Sequence, residues 1–88
     1  MDKNFQYKIA ILIPAYNELI NLKKFINKIK NNYNLLIIDD YSNDETSLFL
    51  KKNKIKFLRN SKNLGYEFSL IKGMKYLIKK NFNYLITF

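Results

Sequence analysis

Tyr7-Lys8-Ile9-Ala10-Ile11-Leu12-Ile13-Pro14 is the stretch on which the fold turns. Its apolar residues run almost without a break instead of alternating, and isoleucine recurs at positions 9, 11 and 13. A short run rich in β-branched residues reads as a strand covered on both faces, the state of strands in a parallel sheet flanked by helices. Pro14 is expected to end it, because a residue without an N–H cannot extend a ladder.

Outward from this strand the chain alternates. Glu18 to about Asn31 predicts a helix, with Leu19, Leu22, Phe25, Ile26 and Ile29 at helical spacing and Lys23, Lys24, Lys28 and Lys30 largely on the other side. Asn17 suits its N-cap and Glu18 its first turn. Leu35 to Asp39 reads as a second buried strand, Asp40 to Asp44 as a polar loop, and about Glu45 to Asn53 as a short helix. Ile55 to Arg59 is a third strand and Asn60 to Leu64 a loop. Gly65 to about Lys80 is a third helix whose expected core face is Phe68, Ile71, Met74, Leu77 and Ile78, and Tyr84 to Phe88 is a fourth strand. The order β-α-β-α-β-α-β predicts an α/β fold: a Rossmann-like parallel half sheet with right-handed crossovers and strand order 3-2-1-4. Two helices then cover one face and the third helix the other.

Composition narrows the chemistry. The 88 residues fit one small domain or part of a larger one. Cys and His are both absent, which excludes disulfides, thiolate or imidazole metal sites, a Cys nucleophile and a His-based triad. No apolar run approaches the roughly 18–20 residues that span a bilayer. The opening residues lack a signal peptide's apolar stretch, so a cytoplasmic location is the expectation. The net charge of +9, from 16 basic and 7 acidic residues, suits an anionic partner. Yet Arg59 is the only arginine and valine is missing, the mark of a lysine-, asparagine- and isoleucine-rich composition rather than of a nucleic-acid surface. Arginine, the residue suited to bidentate base and phosphate contacts, is almost absent, so nucleic acid is not the expected partner.

Ligands of open parallel sheets sit outside the carboxyl ends of the strands. That rule selects the loops Pro14 to Glu18, Asp39 to Asp44 and Asn60 to Gly65. Every acid except Asp2 falls at this pole. The helix dipole explains those at helix starts but not Asp39 and Asp40, which close a strand. These two can accept hydrogen bonds from ribose hydroxyls or a base N–H, or cap their own loop with Ser42 and Asn43 as partners. A glycine-rich dinucleotide fingerprint and a P-loop are both absent, since Gly65 and Gly73 are the only glycines. Gly65, Ser69 and Gly73 form a strip of small residues along the third helix. A mid-helix glycine costs about 1 kcal/mol relative to alanine, which close approach of helix to sheet would offset. Gly65 would also let a backbone N–H approach a nucleotide. Tyr16 and Tyr41 lie in the loops, to flank a base or cover the loop, whereas Phe25, Phe57 and Phe68 are expected in the core.

Three motifs then carry a resemblance: Ile11-Leu12-Ile13-Pro14-Ala15-Tyr16-Asn17-Glu18, Ile37-Ile38-Asp39-Asp40-Tyr41-Ser42-Asn43-Asp44-Glu45-Thr46, and Asn63-Leu64-Gly65 with Ser69 and Gly73. In this order, at successive strand ends, they resemble the N-terminal half of family 2 glycosyltransferases, which have the GT-A fold and transfer sugars from nucleotide diphospho-sugars. The resemblance runs from about Ile9 to Phe88. It implies a nucleotide-binding role for Pro14, Ala15, Tyr16 and Glu18 around base and ribose, for Asp39 with Asp40 beside it at the base, and for Asn63 and Gly65 at the pocket border. Tyr41 stands where the family usually has glycine, and Ser69 where it has alanine.

The family places an Asp-x-Asp metal motif directly after the fourth strand, where this sequence reaches Phe88. A divalent cation, Mg or Mn, is therefore expected of a complete enzyme, with no ligands for it here, and no catalytic residue is assigned. The expectation is a single incomplete domain over residues 1–88, a truncated GT-A unit inactive in isolation. The implied reaction is inverting transfer from a UDP- or GDP-sugar to a saccharide or lipid-phosphate acceptor. The details resemble polyprenyl-phosphate sugar transferases, which would put the protein peripherally at the inner membrane face. A missing C-terminal half or self-association would cover the fourth strand's open edge. Two rival readings are a non-catalytic nucleotide-binding module and a basic nucleic-acid-binding domain. A receiver-like phosphoacceptor is disfavoured because its acid pair would end the first strand, not the second.

Overall fold

A computed structural model describes residues 9–29 and 33–87. The expected strand positions Tyr7, Lys8 and Phe88 and the last turn of the first helix lie outside these residues. The elements are β1 (Ile9–Ala15), α1 (Leu19–Ile29), β2 (Asn34–Asp39), α2 (Thr46–Lys52), β3 (Phe57–Arg59), α3 (Tyr66–Lys79) and β4 (Tyr84–Thr87). The sheet is parallel throughout, with hydrogen-bonded order β3-β2-β1-β4. Alternation of strand and helix forces this arrangement, since parallel neighbours need a crossover and the crossover helix covers the sheet.

Pro14 does not end β1. The strand continues to Ala15, whose carbonyl accepts the Asp40 N–H at 2.9 Å. Among the described residues the pairing with β4 runs to Leu12 opposite Thr87, and Pro14 stands in register with Ile38 of β2.

Two separate cores result. On one face Ile11, Ile13 and Ile37 meet Leu22 and Ile26 of α1, Leu50 of α2 and Ile55, with Phe25 and Phe57 packed against them. On the other, Ala10, Leu12, Leu36 and Ile38 meet Leu77 of α3. The side chains of β1 and β2 alternate between these cores, so a continuous apolar run is needed to feed both.

The expected core face of α3 is corrected. Leu77 is buried, but Phe68, Ile71, Met74 and Ile78 are exposed, Ile78 by 62%. The buried face is Ser69, Gly73 and Leu77. The reason is steric: a Cβ on Gly73 would lie 2.3 Å from Cδ1 of Leu12 and 3.1 Å from Cγ1 of Ile38. The helix comes so close to the sheet at Gly73 that no side chain fits there, and Phe68, Ile71, Met74 and Ile78 are turned outward.

Candidate functional site

Hydrogen bonds between the three carboxyl-end loops draw them to one rim. Asn17 does not cap α1. Its φ of 51° turns its side chain toward the second loop, where Oδ1 accepts the Asn43 N–H at 2.9 Å, while its own N–H donates to Ser42 Oγ at 3.0 Å. Asparagine tolerates this left-handed conformation better than most residues. Glu18 stands directly before the helix instead, its carbonyl accepting the Leu22 N–H.

Asp39 and Asp40 are both buried, and each holds something different. Asp39 Oδ1 accepts the Ser42 N–H at 3.0 Å, the loop-capping arrangement, and Oδ2 lies 2.6 Å from Arg59 Nη1 on the end of β3. Asp40 reaches across to the third loop. Its Oδ1 accepts from the Leu64 N–H and Asn60 Nδ2, both at 2.8 Å, and its Oδ2 accepts the Gly65 N–H at 2.9 Å. Burial pushes the Asp40 carboxyl up, and the three donors more than reverse this, holding it below its ordinary value of 3.8. The network extends through Asn60, which donates to Ser69 Oγ and accepts from Lys72 Nζ at 2.8 Å. Among the described residues no buried side-chain polar atom lacks a partner.

Gly65 takes φ 95°, a conformation that disfavours any other residue, with open space where a Cβ would stand. Its N–H faces Asp40 rather than outward. Asn63 is exposed and its amide lies 3.4 Å from the Asp40 carbonyl.

A small cavity of about 140 Å³ opens between the first and third loops, lined by Pro14, Ala15, Tyr16, Glu18, Asp40, Tyr66 and Ser69. A neighbouring cleft of about 290 Å³ shares Pro14, Ala15, Glu18 and Tyr66 with it and continues along α1. The rim therefore unites Pro14, Ala15, Tyr16, Glu18 and Asp40 around one space. Asp39, Asn63 and Gly65 stand behind or beside it. Tyr66 lines both hollows and was missed by sequence reading, although its place directly after Gly65 is a usable signal.

Tyr41 adopts φ 66°, the left-handed region in which glycine is at ease. For a residue with a Cβ this costs roughly 1–2 kcal/mol. Its ring lies under the Arg59 guanidinium, 4.9 Å from centroid to Cζ. The loop keeps a glycine-type backbone with a tyrosine in it.

No group of three or more His, Cys, Asp or Glu side chains able to hold a metal occurs among the described residues. Both oxygens of Asp39 and of Asp40 already accept from protein donors. No helix among the described residues is long and apolar enough to cross a membrane.

Residues 10–88 match the model of the family described as Glycosyl transferase family 2. The chain is 32% identical over 77 residues to a dolichol-phosphate mannosyltransferase of Pyrococcus furiosus, covering 77% of this chain and 22% of that protein. It is 30% identical over 88 residues to the uncharacterized glycosyltransferase YkcC of Bacillus subtilis, covering 86% of this chain and 27% of the relative. To the putative glycosyltransferase CsbB of the same organism it is 31% identical over 81 residues, with 78% and 25% covered. The chain thus spans about a quarter of the length of these curated relatives. No solved structure matches it.

Proposed function

The chain belongs to glycosyl transferase family 2, and from that premise we propose that its rim binds the nucleoside diphosphate part of a nucleotide sugar, as the N-terminal part of a GT-A domain. Pro14, Ala15, Tyr16 and Glu18 form the wall against base and ribose. Asp39 and Asp40 fix the floor, and Asn63 and Gly65 the border. The observation that carries this reading is the cavity lined jointly by Pro14, Ala15, Tyr16, Glu18, Asp40 and Tyr66. Three loops far apart in sequence are tied together there by Asn17 and Asp40.

In the whole protein the reaction is inverting sugar transfer. An acceptor oxygen attacks the anomeric carbon, the bond from that carbon to the diphosphate oxygen breaks, and the nucleoside diphosphate leaves with the electron pair. A lipid-phosphate acceptor at the membrane surface is supported by the similarity to a dolichol-phosphate mannosyltransferase. On this reading the role of this part of the chain is to hold and orient the donor.

Titration of the full chain with UDP and GDP, with and without Mn²⁺, tests the reading. Saturable binding of one of them is expected, weakened about tenfold by Tyr16→Ala, the loss of one aromatic contact to the ligand. Absence of saturable binding for both nucleotides at millimolar concentration would overturn it.

A further inference from the structure

We infer that the outer face of α1 and α2 docks on an anionic lipid bilayer, with Ile20 and Leu48 entering the headgroup layer and Lys23, Lys24, Lys51 and Lys52 meeting the lipid phosphates. The inference goes beyond the proposed function by naming a second surface and its partner. It stands or falls on vesicle binding, not on the nucleotide titration that tests the rim.

Ile20 and Leu48 are the two most exposed large apolar side chains among the described residues, at 72% and 64%. A lone exposed isoleucine or leucine needs no explanation. These two share a pattern. Ile20 is followed at three and four residues by Lys23 and Lys24, and Leu48 by Lys51 and Lys52. Residues three and four apart lie on one side of a helix, so each helix carries an apolar side chain with a lysine pair one turn behind it. All four lysines are exposed.

The two helices bring their copies of the pattern together. Both cover the same face of the sheet and both run from the rim. A hollow of about 370 Å³ lies between them, lined by Leu19, Lys23, Leu48, Phe49 and Lys52, with Glu45 at its edge. Lys23 Nζ sits 5.5 Å from the centre of the Phe49 ring across that gap. Neither helix contains an acid, and Lys28 adds a fifth cation to α1. Lysine stems cover apolar surface while their heads reach for anions, so one face can meet acyl chains and phosphates together.

The apolar pair decides between polyanions. A nucleic-acid backbone gives isoleucine and leucine nothing to bury against, whereas the headgroup and acyl boundary does. Ile20 also stands two residues beyond Glu18 of the rim cavity. A bilayer meeting Ile20 and Leu48 therefore lies beside the rim, where a lipid-phosphate acceptor would arrive.

The test is co-sedimentation of the full chain with vesicles of phosphatidylcholine alone and with added phosphatidylglycerol, and with a double-stranded DNA oligonucleotide as rival probe. Binding to the anionic vesicles is expected at least about tenfold tighter than to neutral ones, and weakened by salt. Lys24→Gln with Lys51→Gln should weaken it about twentyfold, at about fivefold per lysine. Lys75→Gln with Lys79→Gln removes the same charge from α3 on the other face of the sheet and should change it little. Ile20→Ser with Leu48→Ser should weaken vesicle binding by about tenfold or more and leave DNA binding unchanged. All six positions are exposed, so thermal melting should hold in every variant. No preference for anionic vesicles, tighter binding to DNA than to them, an equal loss in the α3 pair, or undiminished vesicle binding in the serine pair overturns the inference. Each of these results leaves the nucleotide-binding reading of the rim to its own titration.

Discussion

The two faces of the sheet are held in different ways. Beneath α1 and α2 the contact is apolar: Leu22, Ile26 and Leu50 cover Ile11, Ile13 and Ile37, and Ile55 fills the gap. Beneath α3 only Leu77 is a large buried side chain of the helix, and the rest of the contact is Ser69 and Gly73. What fastens the start of α3 is polar: Asp40 gripping Leu64 and Gly65, and Asn60 gripping Asp40, Ser69 and Lys72. The first attachment is non-directional and tolerates shifts. The second fixes a loop to a strand end in one geometry. The candidate binding rim is built on the second kind, which suits a site whose donors must stay in place.

The sharpest way to break the contrast is to remove the apolar side. Ile26, 1% exposed, sits at the centre of the first core. Ile26→Ala should lower global stability by about 3–4 kcal/mol, read as a lower midpoint in urea. An effect below that of the polar substitution described next would show that apolar burial does not dominate on that face.

Removing the polar side should have a smaller global cost and a local consequence. Asp40→Asn replaces a carboxylate facing three donors with an amide that can accept at one end only. A loss of about 2–3 kcal/mol is expected, with amide exchange rising first at Leu64, Gly65 and Ser69. Acid should have the same effect on the unaltered chain. Because the folded-state pKa of Asp40 lies below the ordinary 3.8, its contribution is complete above the unfolded-state value and is lost as the pH falls through the lower folded-state value. A melting series from pH 5 down to 2.5 should therefore fall more steeply for the unaltered chain than for Asp40→Asn. Parallel curves would remove Asp40 from the account.

The smallest effect is expected at Gly73. An added methyl must displace Leu12, whose side-chain ends lie 2.3 and 3.0 Å from it in a fully buried position. Overpacking costs about 1–3 kcal/mol, and alanine's helix propensity returns about 1. Gly73→Ala should thus destabilise by about 1 kcal/mol. A stabilised variant would mean that α3 can move away from the sheet without loss.

The sequence is legible where a local rule and the tertiary fold agree. The apolar run at Ile9 to Ile13 and the acids at strand ends announced a parallel sheet and the rim that carries the candidate site. Legibility fails at α3, where hydrophobic periodicity selected Phe68, Ile71 and Ile78 for the core. Periodicity counts apolar residues, but it does not measure how near a helix must come to side chains such as Leu12 that already fill the space. The strip of Gly65, Ser69 and Gly73 held the correct face, and the cost of a mid-helix glycine was the clue. Arg59 is visible as the only arginine, but its pairing with Asp39 is not. Partners twenty residues apart are joined by the β2–β3 register, which places Asp39 opposite Arg59.

The position of β1 between β2 and β4 bears on how the chain is made. The ribosome delivers β1 long before β4, at roughly 5–20 residues per second. For several seconds the nascent sheet offers one unzipped border along its most apolar strand. Neighbouring nascent chains on the same messenger can dock there, so slowing translation ahead of Tyr84 should favour insoluble product and early chaperone engagement should favour recovery.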